Sequence, residues 1–283
     1  MSNMVLASSE SDATAAAAVE QHHAQLEGAL ALRVETLLAA ASRSDAAAAV
    51  ARTELVAWCE HDLVPHALAE EKAMYPAAHA KSEGRLLVDG MLGEHRVITD
   101  LVHQLDTATD MVRAAATAKA LQVVFESHLA KENELVLPLL TAATDVSVSE
   151  LLEGMHELLG GQPHEATQAE SGHDGHSCGC GEVDGPGYPE LDTRAIPHAI
   201  RHATIFGALD AVQPGAGMVL IAPHDPLPLL AQIEQRSPGM FKVDYLDDGP
   251  EAWRLSFARA GEDRDAVLPV HSVAKGSRDS SVG

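Results

Sequence analysis

Two segments of the chain combine histidine, glutamate and proline at identical spacing. Residues 66–76 read HALAEEKAMYP and residues 128–138 read HLAKENELVLP, so each begins with His, has Glu at its fifth position and ends in Pro. Residues four apart lie on the same face of a helix, so each segment presents an imidazole beside a carboxylate. These groups are ligands for iron, manganese and zinc, and the repeated pattern therefore predicts metal chemistry.

Both pairs lie on apolar helical stripes, which predicts that they face inward. His66 and Glu70 share a stripe with Leu55, Cys59 and Ala73, and His128 and Glu132 share one with Leu121, Val124, Leu135 and Leu139. Two further stripes carry His23 and His95 among apolar residues. His22 is an alternative to His23, because neighbouring residues are barely separated on that stripe.

Burying Glu70 and Glu132 requires a compensating positive charge, since an unpaired carboxylate in an apolar core costs several kcal/mol. No Lys or Arg lies on these stripes, and a metal ion would supply the charge. A single inward His is more often a hydrogen-bonded core residue, but one His on each of four stripes favours a metal site. The other His and Glu of these segments, among them Glu71 and Glu94, fit a solvated face.

The elements that must position these residues form an antiparallel four-helix bundle. Residues 12–142 are rich in Ala, Leu and Glu and are interrupted at RSD (43–45), KSEG (81–84) and DTATD (106–110), which divides them into four long helical stretches. Short connections favour antiparallel neighbours. A shorter amphipathic stretch at 147–160 is predicted to pack on the end, so the bundle domain is placed at 12–159. Pro65 is expected to kink the helix of His66.

The remaining sequence predicts a second, smaller domain, which makes the chain an α+β multidomain protein. Residues 160–189 are rich in Gly, Pro, His and acids and are predicted to be a linker. Residues 190–260 alternate strand and helix patterns in the order β-α-β-α-β-β, as in a small sandwich. The polar tail, 261–283, is predicted to be mobile.

Charge and composition exclude some classes of partner. The chain has 283 residues, with 19 Lys and Arg against 42 Asp and Glu, and its formal charge of -23 repels nucleic acids and anionic membranes. Its amino terminus lacks the pattern of a signal peptide, and no apolar run approaches the roughly 20 residues of a membrane span. We therefore expect a cytoplasmic protein without nucleic-acid or membrane partners; the sequence identifies no protein partner.

A second metal site is a further hypothesis for the small domain. Its candidate ligands are Cys178, Cys180, His198, His202 and His224. Loops that leave strand ends meet at one edge of such a sheet, which would bring these residues together. The alternative is that both Cys are exposed in the linker and that the His residues bond locally.

The first 150 residues resemble the hemerythrin-like, His-His-Glu cation-binding family, on the two segments quoted above. The resemblance implies a centre of two iron ions, with Glu70 and Glu132 as bridges and with His23, His66, His95 and His128 as further ligands. Oxygen-carrying hemerythrins have a further His one turn from the third-helix ligand, where this chain has Met91 and Thr99. The ferritin-like alternative uses Glu-x-x-His, the reverse order. Fewer ligands leave open coordination positions, which favours redox chemistry over oxygen carriage.

The resemblance implies a protein that binds or reacts with a small diatomic or peroxide ligand: dioxygen, hydrogen peroxide or nitric oxide. Three functions are compatible with it. The protein either consumes peroxide or nitric oxide as an enzyme in a stress response, or senses oxygen or nitric oxide without turnover, or donates iron for iron-sulfur repair.

The segment from 190 to 260 resembles an uncharacterised bacterial family that is similar to the TusA sulfur carriers. TusA-like proteins carry Cys-Pro at the start of the first helix, where this chain has Pro197 and His198. That departure disfavours persulfide transfer and favours metal binding.

Overall fold

The computed structural model describes residues 9–158 and 187–261. Most of the predicted linker and nearly all of the predicted tail lie outside these residues. The helices are α1 (Glu10–Ala41), α2 (Asp45–Trp58), α3 (Val64–Ala73), α4 (Tyr75–His79), α5 (Arg85–Asp106), α6 (Met111–Lys131), α7 (Leu137–Ala142), α8 (Val148–Leu158), α9 (His198–Ala211) and α10 (Leu227–Arg236). The strands are β1 (Glu190–Asp192), β2 (Gly217–Ala222), β3 (Phe241–Asp248) and β4 (Trp253–Arg259).

Four helical rods form the bundle, as predicted. The first is α1, the second runs from α2 to α4, the third is α5, and the fourth comprises α6 and α7. The rods are separated at the three predicted connections, and Asp110 caps α6 by accepting hydrogen bonds from the N–H groups of Val112 and Arg113. Helix α8 packs against α1 and α3.

Two π-helical segments interrupt the second and fourth rods, at Cys59–Leu63 and Glu132–Val136. Each ends two residues before a proline, Pro65 or Pro138, whose missing N–H removes an ordinary helical hydrogen bond. The Val64 N–H bonds to the Cys59 carbonyl and the Leu137 N–H to the Glu132 carbonyl, so the wider turn carries the rod into the next α-helix.

The second π segment corrects one predicted stripe. Leu135 is 50% exposed, whereas Val136 is fully buried, and beyond it Leu140 is fully buried where Leu139 was expected. The π turn contains one residue more than an α turn. Each residue after it therefore takes the position on the helix face that the preceding residue would have in an unbroken α-helix. The predicted core position of Leu135 is therefore wrong, and Leu139 is only partly buried against the core, because the α-helical period does not hold through this turn.

The small domain has the predicted order β1-α9-β2-α10-β3-β4. Its four strands lie in the order β1-β2-β4-β3, with β1 parallel to β2 and the other neighbours antiparallel. Ile205 and Leu209 of α9 and Ile233 of α10 pack with Leu220 and Phe257 of the sheet, which gives a two-layer sandwich. No helix in the described ranges has both the length and the apolar character needed to cross a membrane.

Helix α1 connects the two parts. It supplies Leu30, Val34 and Leu37 to the bundle core, and it also supplies Ala29 and Leu32 to the core of the small domain. One helix therefore belongs to both hydrophobic cores.

Candidate metal centre

The six residues predicted from the two segments and the two further stripes lie together inside the bundle. His23 comes from α1, His66 and Glu70 from α3, His95 from α5, His128 from α6, and Glu132 opens the second π segment. None of the six is more than 4% exposed. Four rods therefore bring four imidazoles and two carboxylates into one water-excluded space.

These residues form two groups that share both carboxylates. One group is His23, His66, Glu70 and Glu132, the other is Glu70, His95, His128 and Glu132, and the possible ligand atoms within each lie within 4.8 Å of one another. Among the described residues, no other set of three or more His, Cys, Asp or Glu forms such a group.

Each carboxylate turns one oxygen toward each pair of histidines. Glu70 Oε1 lies 3.2 Å from His23 Nε2 and 3.0 Å from His66 Nε2, while its Oε2 lies 3.7 Å from His95 Nε2. Glu132 Oε2 lies 3.8 Å from His23 Nε2, and its Oε1 lies 3.5 Å from His128 Nε2. This arrangement suits two carboxylates that bridge two neighbouring cations.

Outward hydrogen bonds orient three of the four imidazoles. His23 Nδ1 lies 2.7 Å from Asn133 Oδ1, and His95 Nδ1 lies 2.8 Å from Glu71 Oε1. His128 Nδ1 lies 3.1 Å from Glu94 Oε2. When each Nδ1–H donates outward, Nε2 is the atom that faces the carboxylates, which is the usual support for a metal-binding histidine.

The centre requires positive charge. Burial lowers the pKa of His23, but Glu70 and Glu132 raise it more, and the net value is about 9. Burial likewise lowers the pKa of His128, while Glu132, Glu70 and Glu94 raise it above its ordinary value. Burial raises the pKa of Glu70, yet His66 and His23 hold it well below its usual range. Glu70 thus stays ionised, and its charge must be balanced by protons or by a metal.

Several buried atoms fit a metal better than any hydrogen bond available to them. Glu132 Oε2 and both ring nitrogens of His66 are buried without a hydrogen-bond partner among the described residues. His66 Nε2 is 3.0 Å from Glu70 Oε1, and this ion-pair contact is the only polar contact of the ring within the centre among the described residues. His95 Nε2 and His128 Nε2 are 2.9 Å apart, and a cation between lone pairs removes their repulsion.

Tyr75 is a site residue that the sequence patterns did not reveal. Its hydroxyl donates to Glu132 Oε1 at 2.7 Å and lies 3.3 Å from the Nε2 atoms of both His95 and His128. Burial raises the pKa of the phenol, and Glu132 and Glu70 raise it further, so the hydroxyl keeps its proton. Its position five residues after Glu70 could have indicated that Tyr75 lies near the centre, but a buried Tyr is more often only a core residue.

Glu71 and Glu94 also have a role that the expected solvated face did not include. Both are about one third exposed, yet each contacts a site histidine, and Glu94 additionally pairs with Lys131. Glu71 directly follows Glu70 in the sequence, and Glu94 directly precedes His95. Helical periodicity places such a neighbour about 100° away, and it does not show that a long side chain reaches back.

The structure separates the two candidate histidines of α1. His23 lies within the cluster, whereas His22 is only half-buried, and its ring centroid lies 5.0 Å from that of His66. His22 therefore borders the centre from outside.

The candidate ligands of the small domain are only partly described. Cys178 and Cys180 lie outside the described residues. His198 and His202 have ring centroids 6.3 Å apart, and His202 Nδ1 is 3.1 Å from Gln232 Oε1. His224 is exposed, with Nδ1 3.2 Å from the Asp225 carbonyl oxygen. The second metal site stays a prediction.

Comparison with known families agrees with the geometry. Residues 14–140 match the family model described as Hemerythrin HHE cation binding domain, and all six residues lie in this range. Residues 190–259 match the model described as Uncharacterized conserved protein (DUF2249). No match was found among curated proteins or among solved structures. The bundle is thus similar to hemerythrin HHE cation-binding domains over residues 14–140, while the similarity of the small domain to TusA stays a prediction.

Proposed function

We propose that the bundle holds two iron ions and that this centre binds or reacts with a small oxidant: dioxygen, hydrogen peroxide or nitric oxide. His23 and His66 would hold one ion, His95 and His128 the other, and Glu70 and Glu132 would bridge them. The observation that carries the proposal is the sharing of both carboxylates by two histidine pairs. Imidazole and carboxylate together suit iron, and bundles with such ligand sets are known to hold two metal ions.

The burial of the centre supports the proposal that its ligand is small. A centre whose six residues are at most 4% exposed offers no room for a large organic substrate, but a diatomic molecule or a peroxide needs little space. Iron would supply one-electron chemistry and an open coordination position to such a ligand. The surrounding apolar residues keep bulk water away, which strengthens every electrostatic interaction in the centre.

The remaining residues have distinct roles in this proposal. The Nδ1 partners hold three imidazoles in the orientation that binds a cation. Tyr75, which keeps its proton, donates to Glu132 on the side of His95 and His128. His66 has no such Nδ1 partner among the described residues, so the two ion positions would differ.

Two functions compete within the proposal. Rapid, repeated consumption of peroxide or nitric oxide would identify an enzyme. Stable and reversible ligand binding would identify a sensor, and the membership of α1 in both hydrophobic cores favours this second function because it gives the small domain contact with a ligand helix. Easy transfer of iron to an acceptor would identify an iron donor instead.

Metal content tests the centre itself. We expect about two irons per chain in the purified protein and a loss of at least half of them in Glu132→Gln, because a neutral amide bridges poorly. Glu134→Gln is the matched control, since Glu134 is exposed on the same π segment. Equal metal content in Glu132→Gln and Glu134→Gln would refute the bridged centre.

A further inference from the structure

Helix α1 packs against the bundle and the small domain on opposite sides. His23 faces the metal centre, while Ala29 and Leu32 lie in one hydrophobic core with Ile205 and Leu209 of α9. Among the six residues of the centre, only His23 lies on α1.

Two glycines bring the backbones of α1 and α9 into direct contact. A Cβ atom added to Gly28 would lie 1.9 Å from the Thr204 carbonyl oxygen, and one added to Gly207 would lie 2.0 Å from the Gln25 carbonyl oxygen. Carbon atoms pack at about 3.5–4.0 Å, so either methyl group would force the helices apart by more than about 1 Å. The two helices are therefore held at a separation that no side chain at the crossing could permit.

The crossing is close to the metal centre along α1. Gln25 is two residues from His23, and a helix rises about 1.5 Å per residue, so the contact with Gly207 lies roughly 3 Å along the axis from the Cα of His23. Because a short stretch of buried helix moves as a rigid body, a shift of α1 at Gln25 becomes a shift of His23. His23 Nε2 lies 3.2 Å from Glu70 Oε1, and its distance to both bridging carboxylates would change.

We propose that Gly207 and Thr204 of the small domain are positioning residues for His23. By fixing how deeply α1 sits in the bundle, α9 sets the geometry of the metal position formed by His23 and His66. The small domain is in this sense part of the scaffold of the centre. The inference rests on the proposed metal function and adds to it a residue from outside the bundle.

Cobalt binding to the full-length chain tests the inference, since the visible absorption of Co²⁺ reports binding without any catalytic activity. His128→Ala leaves the position of His23 and His66 intact, and His66→Ala leaves the position of His95 and His128 intact. We expect Gly207→Ala to weaken Co²⁺ binding about tenfold or more in the His128→Ala background, and less than about twofold in the His66→Ala background.

The controls distinguish an effect on the position of His23 from a general loosening of the fold. Gly90→Ala on α5, where an added methyl group meets nothing within 4 Å, should leave both affinities unchanged. An equal effect of Gly207→Ala in both backgrounds, or no effect in either, would overturn the inference. If Gly207→Ala does not fold by circular dichroism, Leu209→Ala, which loosens the same contact from a buried position, decides by the same comparison. A wild-type chain that binds no Co²⁺ would instead remove the proposed function, and the inference with it.

Discussion

At the residue scale, the phenol of Tyr75 contacts three residues of the centre. It donates to a carboxylate whose other oxygen has no hydrogen-bond partner among the described residues, and it lies beside two imidazoles. A buried hydrogen bond to a charged acceptor contributes about 1.5–3 kcal/mol, and losing the donor leaves the acceptor unsatisfied. Tyr75 therefore holds Glu132 in place whether or not metal is bound.

Replacing this hydroxyl should destabilise the metal-free protein. We expect Tyr75→Phe to lower the free energy of unfolding by about 1–3 kcal/mol in urea titrations with a chelator present, because Glu132 loses its donor. Tyr245→Phe is the control: its hydroxyl bonds to Asp225 Oδ1 at 2.8 Å in an exposed position, so its loss should cost little. Equal stabilities for the two variants would show that the Tyr75 contact is incidental.

Proton competition at the centre predicts a pH dependence of metal binding. The pKa of His23 is about 9, so this ring carries a proton at neutral pH that a metal must displace, and the raised pKa of His128 makes its ring hold a proton to higher pH than usual. Affinity should therefore rise with pH toward about 9 and fall on acidification, by up to about tenfold per pH unit for each proton released. Chelator competition at constant ionic strength measures this slope.

The control for the pH series is His103→Ala, which removes an exposed histidine of α5. Its pH profile should match that of the wild type. An affinity that does not change with pH would mean that these rings are already neutral before metal binds.

At the scale of the element, the π segments decide which residues reach the core. Val136 is fully buried and Leu135 is 50% exposed, although the α-helical period places Leu135 on the inward stripe. We expect Val136→Ala to cost about 2 kcal/mol of stability and Leu135→Ala less than about 0.5 kcal/mol, as measured by urea unfolding. A larger loss for Leu135→Ala would mean that the rod continues as an ordinary α-helix through this turn.

The sequence alone predicted the four helical rods of the bundle, but it did not predict the two π segments. His66 and Glu70 lie one α turn apart after the first π segment, and His128 and Glu132 lie one α turn apart up to the start of the second, so their inward orientation followed from periodicity. Residues after Glu132 did not follow it, because a π turn has no strong signal in residue type. Tyr75, Glu71 and Glu94 were missed for a related reason: periodicity gives the face of a helix and not the reach of a side chain.

The sequence of α1 contains a further pattern that bears on how this helix packs. Its residues 28–32, GALAL, are apolar through more than one full helical turn, and a turn with that pattern is normally buried on all sides. The pattern would have predicted a second packing partner for α1. Periodicity could not identify α9 as this partner, because α9 lies in another domain.

At the scale of the whole molecule, the charge of -23 opposes compactness. We expect the metal-free protein to gain stability when NaCl rises from about 0.02 M to about 0.5 M, because salt screens surface charges beyond a few ångströms. A gain of about 1 kcal/mol would raise Tm by roughly 2–4 °C.

Calorimetry or circular dichroism in the presence of a chelator measures this shift. A Tm that falls with added NaCl would indicate that the surface ion pairs, such as Arg236 with Asp210, contribute more than the net repulsion costs. The metal-loaded protein should respond less, because the bound cations cancel charge where it is most concentrated.

The packing of α1 against α9 also affects how the chain is made. Leu32 and Leu209 share one core although 177 residues separate them in the sequence. At a synthesis rate of about 5–20 residues per second, the outer apolar face of α1 remains uncovered for roughly 10–35 seconds after it leaves the ribosome. The nascent bundle therefore exposes this apolar face until the second domain emerges, although all six residues of the metal centre are synthesised before α9.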